Sequence, residues 1–169
     1  KKKINSKILL ICSKKILLLQ MRALKYKHKI NILDPNDKEF LKKFDKKKIN
    51  IFNDDFNKRK AFDSINKNSS KYLDESFNLA LKLISDGVSN KIINGPISKK
   101  HFLQDRFPGI TEYLAHKSKT KNYAMLIYNN KLSVCPITTH IPLKDVHKKI
   151  SKKKIIDKIQ LIVNFYKKE

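Results

Sequence analysis

The chain has 169 residues, a formal net charge of +24, and 40% hydrophobic residues. That length is enough for one domain with its own hydrophobic core, so no disulfide framework is needed to hold the fold. No segment approaches the roughly 18 consecutive apolar residues of a membrane-spanning helix, which argues against a helical membrane protein.

The positive charge is distributed over the whole chain. Only Arg22, Arg59 and Arg106 are arginines, and lysines occur throughout beside Asn and Ile. Because Lys, Asn and Ile have AT-rich codons, a low-GC coding sequence explains this composition on any fold. Basic side chains also neutralise phosphates, so a nucleic-acid-binding domain stays open as the less favoured alternative. A steep salt dependence of DNA binding would identify it.

The first residues imitate a signal peptide only in part. Lys1-Lys2-Lys3 precede the apolar run from Ile8 to Cys12, but Lys14-Lys15 interrupt it and no small-residue cleavage site follows. Cys12 and Cys135 both lie in apolar, strand-like runs. We therefore expect two buried free thiols in a reducing compartment, and a cytoplasmic protein without membrane partners.

The beginning of the chain alternates strand and helix patterns. Residues 7–12 predict a buried parallel strand, residues 14–27 an amphipathic helix, and residues 30–33 a second strand. The turn Asp34-Pro35-Asn36-Asp37 ends that strand, and residues 49–52 predict another. This pattern indicates the start of a βαβ arrangement.

A longer amphipathic helix is expected next. Ser69 or Ser70 is the expected N-cap, with Asp74 and Glu75 in the first turn, where they oppose the helix dipole. Asp86-Gly87 is the expected end of this helix.

A sharp turn follows the apolar residues Val88 to Ile93. The chain has only three glycines, and one of them, Gly95, precedes Pro96. Gly accepts a positive φ and Pro fixes φ near −65°, so a rigid turn is expected, after which Ser98 can cap a short helix over residues 97–103. Free N–H groups at such a helix start suit a phosphate or carboxylate, although a plain strand-to-helix connection explains the same residues.

Two further turns punctuate the next segment. Phe107-Pro108-Gly109 leads into a helix with Thr111 at or near its N-cap. Asn129-Asn130 separate two apolar runs, 122–128 and 131–138, which predicts a tight hairpin and hence a mixed sheet.

The chain closes with helical patterns. Pro142 is expected to open one helix, and Ser151 to cap the last. The apolar stripe of this last helix consists of Ile155, Ile159, Ile162 and Tyr166. So wide an apolar face needs cover, either from further chain or from a second subunit.

His140 is the candidate metal ligand. It follows an apolar run and precedes a proline turn, so its ring should emerge at the edge of the sheet. Imidazole is the commonest protein ligand of transition metals, but one histidine cannot make a site, and a structural role explains it as well. The sequence contains no nucleophile elbow, Walker loop or G-x-G-x-x-G pattern.

Four blocks of sequence carry a family resemblance. They are Asn-Gly-Pro-Ile-Ser-Lys at 94–99, Pro-Gly-Ile-Thr-Glu-Tyr-Leu-Ala at 108–115, Ala-Met-Leu-Ile-Tyr at 124–128, and Thr-Thr-His-Ile-Pro-Leu-Lys-Asp-Val at 138–146. In this order and with these separations the chain resembles the 4-hydroxythreonine-4-phosphate dehydrogenase family, PdxA. The resemblance is good over residues 71–154 and loose over residues 8–34.

The resemblance implies an α/β fold: a three-layer α/β/α subunit with a mixed, mostly parallel sheet, akin to isocitrate and isopropylmalate dehydrogenases. It also implies a homodimer whose active site lies in an interdomain cleft at the subunit interface. Such enzymes use NAD and a divalent metal, which we expect to be zinc, magnesium or cobalt. They oxidise and decarboxylate a phosphorylated hydroxy acid such as 4-phosphohydroxy-L-threonine, in pyridoxal phosphate biosynthesis. The metal polarises the hydroxyl and the developing carbonyl.

Three site residues follow from the resemblance. His140 matches the first of three metal-binding histidines, and Thr111 the threonine of a substrate-binding Gly-His-Thr-Glu motif. Ile110 stands where that motif has its substrate-binding histidine. The other two metal histidines and the nucleotide-binding segments of the family fall beyond Glu169. We therefore expect residues 1–169 to be a single partial α/β unit, truncated at both ends, that cannot assemble the metal site alone.

A non-catalytic remnant is the alternative. It would keep the anion-binding turn and the dimer surface and would bind an anionic metabolite or a partner. The isoleucine at position 110 favours this alternative, because it removes a polar contact to the substrate.

Overall fold

The computed structural model describes residues 6–167. The run Lys1-Lys2-Lys3 and the outermost residues of the expected 1–169 unit lie outside this range. The contacts divide the chain into two compact units, the first ending at Ile97 and the second beginning at Ser98.

The first unit is built on a three-stranded parallel sheet. Its strands are β1 (Leu9–Cys12), β2 (Ile30–Leu33) and β3 (Ile49–Asn53), in the spatial order β1-β3-β2. Phe52 of the central strand lies opposite Ile11 on one side and Leu33 on the other. Ile51 and Phe52 are fully buried. Because consecutive side chains of a strand point to opposite faces, both faces of the sheet are covered at this point. The three strand predictions are confirmed, with differences of one or two residues at the ends.

Two helices belong to this unit. Helix α1 (Lys14–Ala23) begins at Ser13, whose hydroxyl accepts a hydrogen bond from the Ile16 N–H. The expected end at residue 27 was wrong, because Lys25 takes a positive φ of 58° and the Tyr26 N–H bonds back to the Met21 carbonyl at 2.8 Å. This hydrogen bond caps the C-terminus of the helix and ends it.

Helix α2 (Lys67–Ser85) starts earlier than expected. Asn66 is the N-cap: its side chain accepts from the Ser69 N–H, and the Ser69 hydroxyl accepts from the Asn66 N–H. This reciprocal capping box replaces the expected cap by Ser69 or Ser70, and it moves Asp74 and Glu75 out of the first turn. Asp86-Gly87 ends the helix as expected, with Gly87 at a φ of 72°.

The core of the first unit lies between the sheet and α2. Phe40, from a 3-10 helix at Phe40–Lys43, meets Phe52 edge to face with ring centroids 5.0 Å apart. Leu33 completes the buried cluster. Partly buried apolar residues that pack against it are Leu9, Ile11, Phe44, Leu79, Leu83 and Val88.

The second unit contains four helices in its described part. They are α3 (Lys99–Phe102), α4 (Ile110–Lys117), α5 (Val146–Lys149) and α6 (Lys152–Tyr166), with a 3-10 turn at Leu143–Asp145 that follows Pro142. Its buried centre consists of Phe102, Leu103, Tyr113 and Ala115. Tyr113 meets the rings of Phe102 and Phe107 edge to face, at 5.0 and 5.6 Å.

The expectation of a mixed sheet was wrong for the part of the chain that the structure describes. Residues 122–138 form a single antiparallel bridge, in which Ile127 and Val134 exchange hydrogen bonds of 2.8 and 2.9 Å. The chain does reverse direction here, but the predicted tight turn was wrong. A two-residue loop at Asn129-Asn130 would pair Ile127 with Leu132, whereas Ile127 pairs with Val134 and leaves residues 128–133 in the loop. No described strand extends from this bridge. Both bridge residues are exposed, so there is no buried face to extend the pairing. Residues 88–93 likewise form no strand.

The last helix confirms its predicted cap and its exposed apolar stripe. The Ser151 hydroxyl accepts from the Lys154 N–H, and Ile155, Ile159 and Tyr166 are exposed. No described helix is long and apolar enough to cross a membrane.

Candidate functional site

The candidate site lies at the N-terminus of α4, within the second unit. Gly109 is the N-cap, and Ile110, Thr111 and Glu112 are the first three helical residues. The first backbone bond of the helix runs from the Tyr113 N–H to the Gly109 carbonyl, at 3.2 Å. The N–H groups before Tyr113 therefore have no intrahelical acceptor and point out of the helix start, where the dipole favours negative charge.

Gly109 is required here by close approach and not by its backbone angles. Its φ of −160° is an extended conformation open to any residue. A β-carbon at this position would, however, lie 2.8 Å from Oε2 of Glu112 and 3.2 Å from Nε2 of His140. Because glycine has no β-carbon, the carboxylate of Glu112 and the imidazole of His140 can both approach this position.

The carboxylate of Glu112 has one partner and one free oxygen. Oε1 accepts a hydrogen bond from Oγ1 of Thr139 at 3.2 Å. Oε2 is buried and has no hydrogen-bond partner among the described residues. A buried polar atom without a partner costs about 1–3 kcal/mol, and such atoms in native structures call for a functional explanation.

His140 reaches this place through a strained backbone. Its φ is 55°, in the left-handed region that non-glycine residues rarely occupy, and such a residue costs on the order of 1–3 kcal/mol. His140 is exposed, and no described strand directly precedes it. The prediction that its ring emerges at the edge of a sheet was therefore wrong. The left-handed turn presents it instead.

The donors of this cluster fit part of a divalent-metal site. An imidazole nitrogen and a carboxylate oxygen are ligands that zinc and similar ions accept, and Gly109 leaves space beside both. Residues 6–167 contain no group of three or more His, Cys, Asp or Glu side chains placed to hold a metal ion. His140, with or without the carboxylate beside it, can therefore supply at most a portion of the coordination that a tightly held metal needs.

The other predicted turn is built differently from expectation. Gly95 does not take a positive φ, and nothing lies within 4 Å of its β position. Ser98 is the N-cap of α3 but makes no capping bond; its hydroxyl lies 2.9 Å from Nδ1 of His101. Helix α3 has only four residues, too few for a developed dipole, which favours the plain connection over an anion site.

A family model described as "Pyridoxal phosphate biosynthetic protein PdxA" matches residues 4–169. The chain belongs to the PdxA family. A 4-hydroxythreonine-4-phosphate dehydrogenase from Sulfurihydrogenibium sp. is 39% identical over 123 residues, which are 72% of this chain and 37% of the relative. One of the same name from Aquifex aeolicus is 46% identical over 76 residues, 45% of this chain and 23% of the relative.

Solved structures show the same fold for this PdxA chain. A crystal structure of 4-hydroxythreonine-4-phosphate dehydrogenase from Klebsiella pneumoniae superposes with a TM-score of 0.75 at 23% identity, over 94% of this chain and 49% of that one. A putative enzyme of that name from Salmonella typhimurium gives the same score at 20% identity, over 94% and 50%. The chain thus spans about half the length of the structures it matches.

Glu112 is the site residue that sequence reasoning missed in this PdxA chain. The resemblance named Ile110, Thr111 and His140, but gave the glutamate of the same motif no role. One signal was available: Glu112 is the only acidic residue in the first turn of α4 and follows a glycine by three positions. Nothing in the sequence could show that its free oxygen would face the histidine 28 positions later.

Proposed function

We propose that this PdxA chain is part of a dehydrogenase that oxidises the hydroxyl of a phosphorylated hydroxy acid, such as 4-phosphohydroxy-L-threonine, with NAD. Decarboxylation of the oxidised acid and a place in pyridoxal phosphate biosynthesis belong to the same proposal. The observation that carries it is the family match over residues 4–169, together with relatives named for this dehydrogenase.

His140 is the residue we assign to a divalent metal, either zinc, magnesium or cobalt. A metal bound there would supply Lewis-acid polarisation of the substrate hydroxyl. The chain contributes the imidazole of His140, held at a left-handed turn, as the metal ligand. The carboxylate of Glu112, bonded to Thr139, lies beside this imidazole. Both converge beside Gly109, close to the start of α4.

Thr111 and the start of α4 are assigned to the substrate. Thr111 is the second helical residue, and its hydroxyl and the first N–H groups of the helix supply donors to an anionic substrate. Ile110, at the preceding position, has an apolar side chain and supplies no hydrogen bond. It stands where the resemblance places a histidine, and this difference is the reason to keep a second candidate function.

The second candidate is a non-catalytic protein that binds an anionic metabolite. The observation in its favour is Ile110, since its side chain cannot hold or donate a proton at the substrate. This candidate keeps Thr111 and the helix start as the binding groups. It predicts binding of phosphorylated acids without their oxidation.

The remaining features are proposed from the family alone. They are an isocitrate-dehydrogenase-like three-layer architecture, a homodimer, and a cytoplasmic location in which Cys12 and Cys135 stay free. The 169 residues do not contain the spaced glycines of a G-x-G-x-x-G dinucleotide motif.

A fusion of this chain to the remaining C-terminal part of the Sulfurihydrogenibium relative tests the proposal. We expect the fusion to reduce NAD in the presence of 4-phosphohydroxy-L-threonine and a divalent metal. His140→Ala should lower the rate by at least about 100-fold, because it removes a metal ligand. The matched control, His147→Ala, changes an exposed histidine of α5 and should leave the rate unchanged.

One result would contradict the dehydrogenase proposal: a folded, metal-binding fusion that binds the phosphorylated acid but does not reduce NAD. It would move the non-catalytic candidate to first place. Equal activity in His140→Ala and His147→Ala would instead contradict the metal role of His140.

A further inference from the structure

We propose that Glu112 is a positioning residue. Its carboxylate accepts a hydrogen bond from the Nε2–H of His140 and thereby fixes the orientation and the tautomer of that ring. The effect of Glu112 on metal binding rests on the proposed function, which assigns His140 to a metal. Its effect on the orientation of the ring does not depend on a metal.

The carboxylate of Glu112 and the imidazole of His140 both lie beside Gly109. Oε2 of Glu112 and Nε2 of His140 lie 2.8 and 3.2 Å from the same point, the β position of Gly109, so they are no farther apart than the sum of these distances. The two atoms are not hydrogen-bonded in the structure, so the proposed bond requires the exposed ring of His140 to turn about its side-chain torsions toward Oε2. The missing side chain at Gly109 leaves the path between them open.

Within the described part of the chain, the carboxylate of Glu112 lacks a hydrogen-bond donor for one of its oxygens. Oε2 is buried and has no partner among residues 6–167, while Oε1 is already held by the Thr139 hydroxyl. A carboxylate only accepts hydrogen bonds, and a neutral imidazole carries one N–H. The Nε2–H of His140 is the donor placed to satisfy the free oxygen.

The consequence for the ring follows from its chemistry. A histidine that donates Nε2–H keeps its lone pair on Nδ1, so Nδ1 becomes the nitrogen available to a metal. Hydrogen bonds from a ligand histidine to a carboxylate orient the ring and raise its basicity, and removing the carboxylate typically weakens metal binding 10–100-fold. Thr139, which directly precedes His140, already binds Oε1 of the same carboxylate. With the proposed bond, two consecutive residues would each bind one oxygen of Glu112.

The test uses the 15N-labelled 169-residue chain without metal. Long-range 1H–15N spectra report which ring nitrogen of each histidine carries the proton, and the signals missing in His140→Gln assign those of His140. We expect the His140 signals of the wild-type chain to show a fixed Nε2–H tautomer, and those of Glu112→Gln to move toward an average of the two tautomers. Asp157→Asn, the same acid-to-amide change at an exposed position of α6, should leave them in place.

Identical His140 ring signals in the wild-type chain and in a folded Glu112→Gln variant would overturn the inference. If Glu112→Gln does not fold, as its amide spectrum would show, Thr139→Val decides in its place. That variant releases Oε1 and should move the same ring signals in the same direction. Unchanged signals in folded Thr139→Val would then overturn the inference.

A titration with Zn²⁺ alone separates this inference from the proposed function. We expect Zn²⁺ to shift the His140 signals of the wild-type chain, and to do so at 10- to 100-fold higher concentration in Glu112→Gln. If Glu112→Gln changes the ring signals but Zn²⁺ never moves those of the wild-type chain, the positioning role stands and the metal role of His140 fails.

Discussion

Oγ1 of Thr139 donates a hydrogen bond to Oε1 of Glu112 at 3.2 Å, although 27 residues separate the two in the sequence. The bond ties the segment before His140 to the first turn of α4. It is the contact that turns two motifs, distant along the chain, into one site. The first predictions concern the groups around this bond.

Replacing Gly109 by alanine should displace the site with little effect on the rest of the unit. The new β-carbon would lie 2.8 Å from Oε2 of Glu112 and 3.2 Å from Nε2 of His140, so both side-chain ends must move. We expect altered His140 ring signals and a loss of about 1 kcal/mol or less in unfolding free energy, since only flexible ends are displaced. Gly95→Ala is the control, because nothing lies within 4 Å of its β position. Ring signals that are equally unchanged in both variants would contradict the close approach.

Replacing Ile110 by histidine tests the substrate role of the α4 start. In the fusion enzyme, the imidazole should add a hydrogen bond to the phosphorylated substrate and lower KM roughly tenfold, the value of about 1.4 kcal/mol from one such bond. Ile110→Leu keeps an apolar side chain of the same size and should leave KM unchanged. Steady-state kinetics measure both. A KM that is the same in the two variants would remove position 110 from the substrate site.

Gly87 should be the glycine most sensitive to substitution in the first unit. It follows α2 at a φ of 72°, and the N–H groups of Gly87 and Val88 bond back to the carbonyls of Ile84 and Leu83 at 3.0 and 2.9 Å. This is the Schellman motif, in which an L-residue with a β-carbon costs about 1–2 kcal/mol. Urea unfolding of Gly87→Ala should show that loss, whereas Gly95→Ala should be neutral. Equal stability of the two variants would argue against the left-handed cap.

Asn66→Ala should destabilise α2 by about 1 kcal/mol, because it removes the side-chain acceptor of the capping box. The comparison variant is Asn68→Ala, two positions into the helix, where alanine is the better helix former and no loss is expected. Thermal unfolding monitored by circular dichroism distinguishes them. If Asn68→Ala proves the more damaging change, the helix starts elsewhere.

Cys12 should make the stability of the first unit depend on alkaline pH. Burial, and next the negative charge of Asp54, raise the pKa of the Cys12 thiol from 9.0 to about 11. Between pH 9 and 11 the unfolded chain loses this proton while the folded chain keeps it, so unfolding becomes easier as pH rises.

Urea unfolding at pH 8 and pH 10.5 measures this effect, with Cys12→Ala as the reference that carries every other titrating group. Between pH 8 and pH 10.5, the unfolding free energy of the wild type should fall by more than that of Cys12→Ala. A difference that is the same at both pH values would show that the thiol titrates normally.

Local sequence signals located most elements but not their neighbours. Ser151 caps α6 and Asp86-Gly87 ends α2 as predicted, since these features depend on bonds within a few residues. The start of α2 was misplaced because the expected cap, Ser69, is instead the third helical residue and forms a capping box with Asn66. Alternation of apolar residues could not show that the pairing of Ile127 with Val134 would stop at one bridge, because a strand also needs a face to bury.

By itself, the sequence determined the three parallel strand segments, the end of α2 and the start of α6, the family, and His140 as a site candidate. These rest on local bonding patterns or on matching motifs. Only the tertiary structure decided that β3 lies between β1 and β2, and that Glu112 meets Thr139 and His140 beside Gly109. These relationships join residues far apart in the chain. They are long-range contacts set by the path of the backbone, and local patterns of side chains do not predict such contacts.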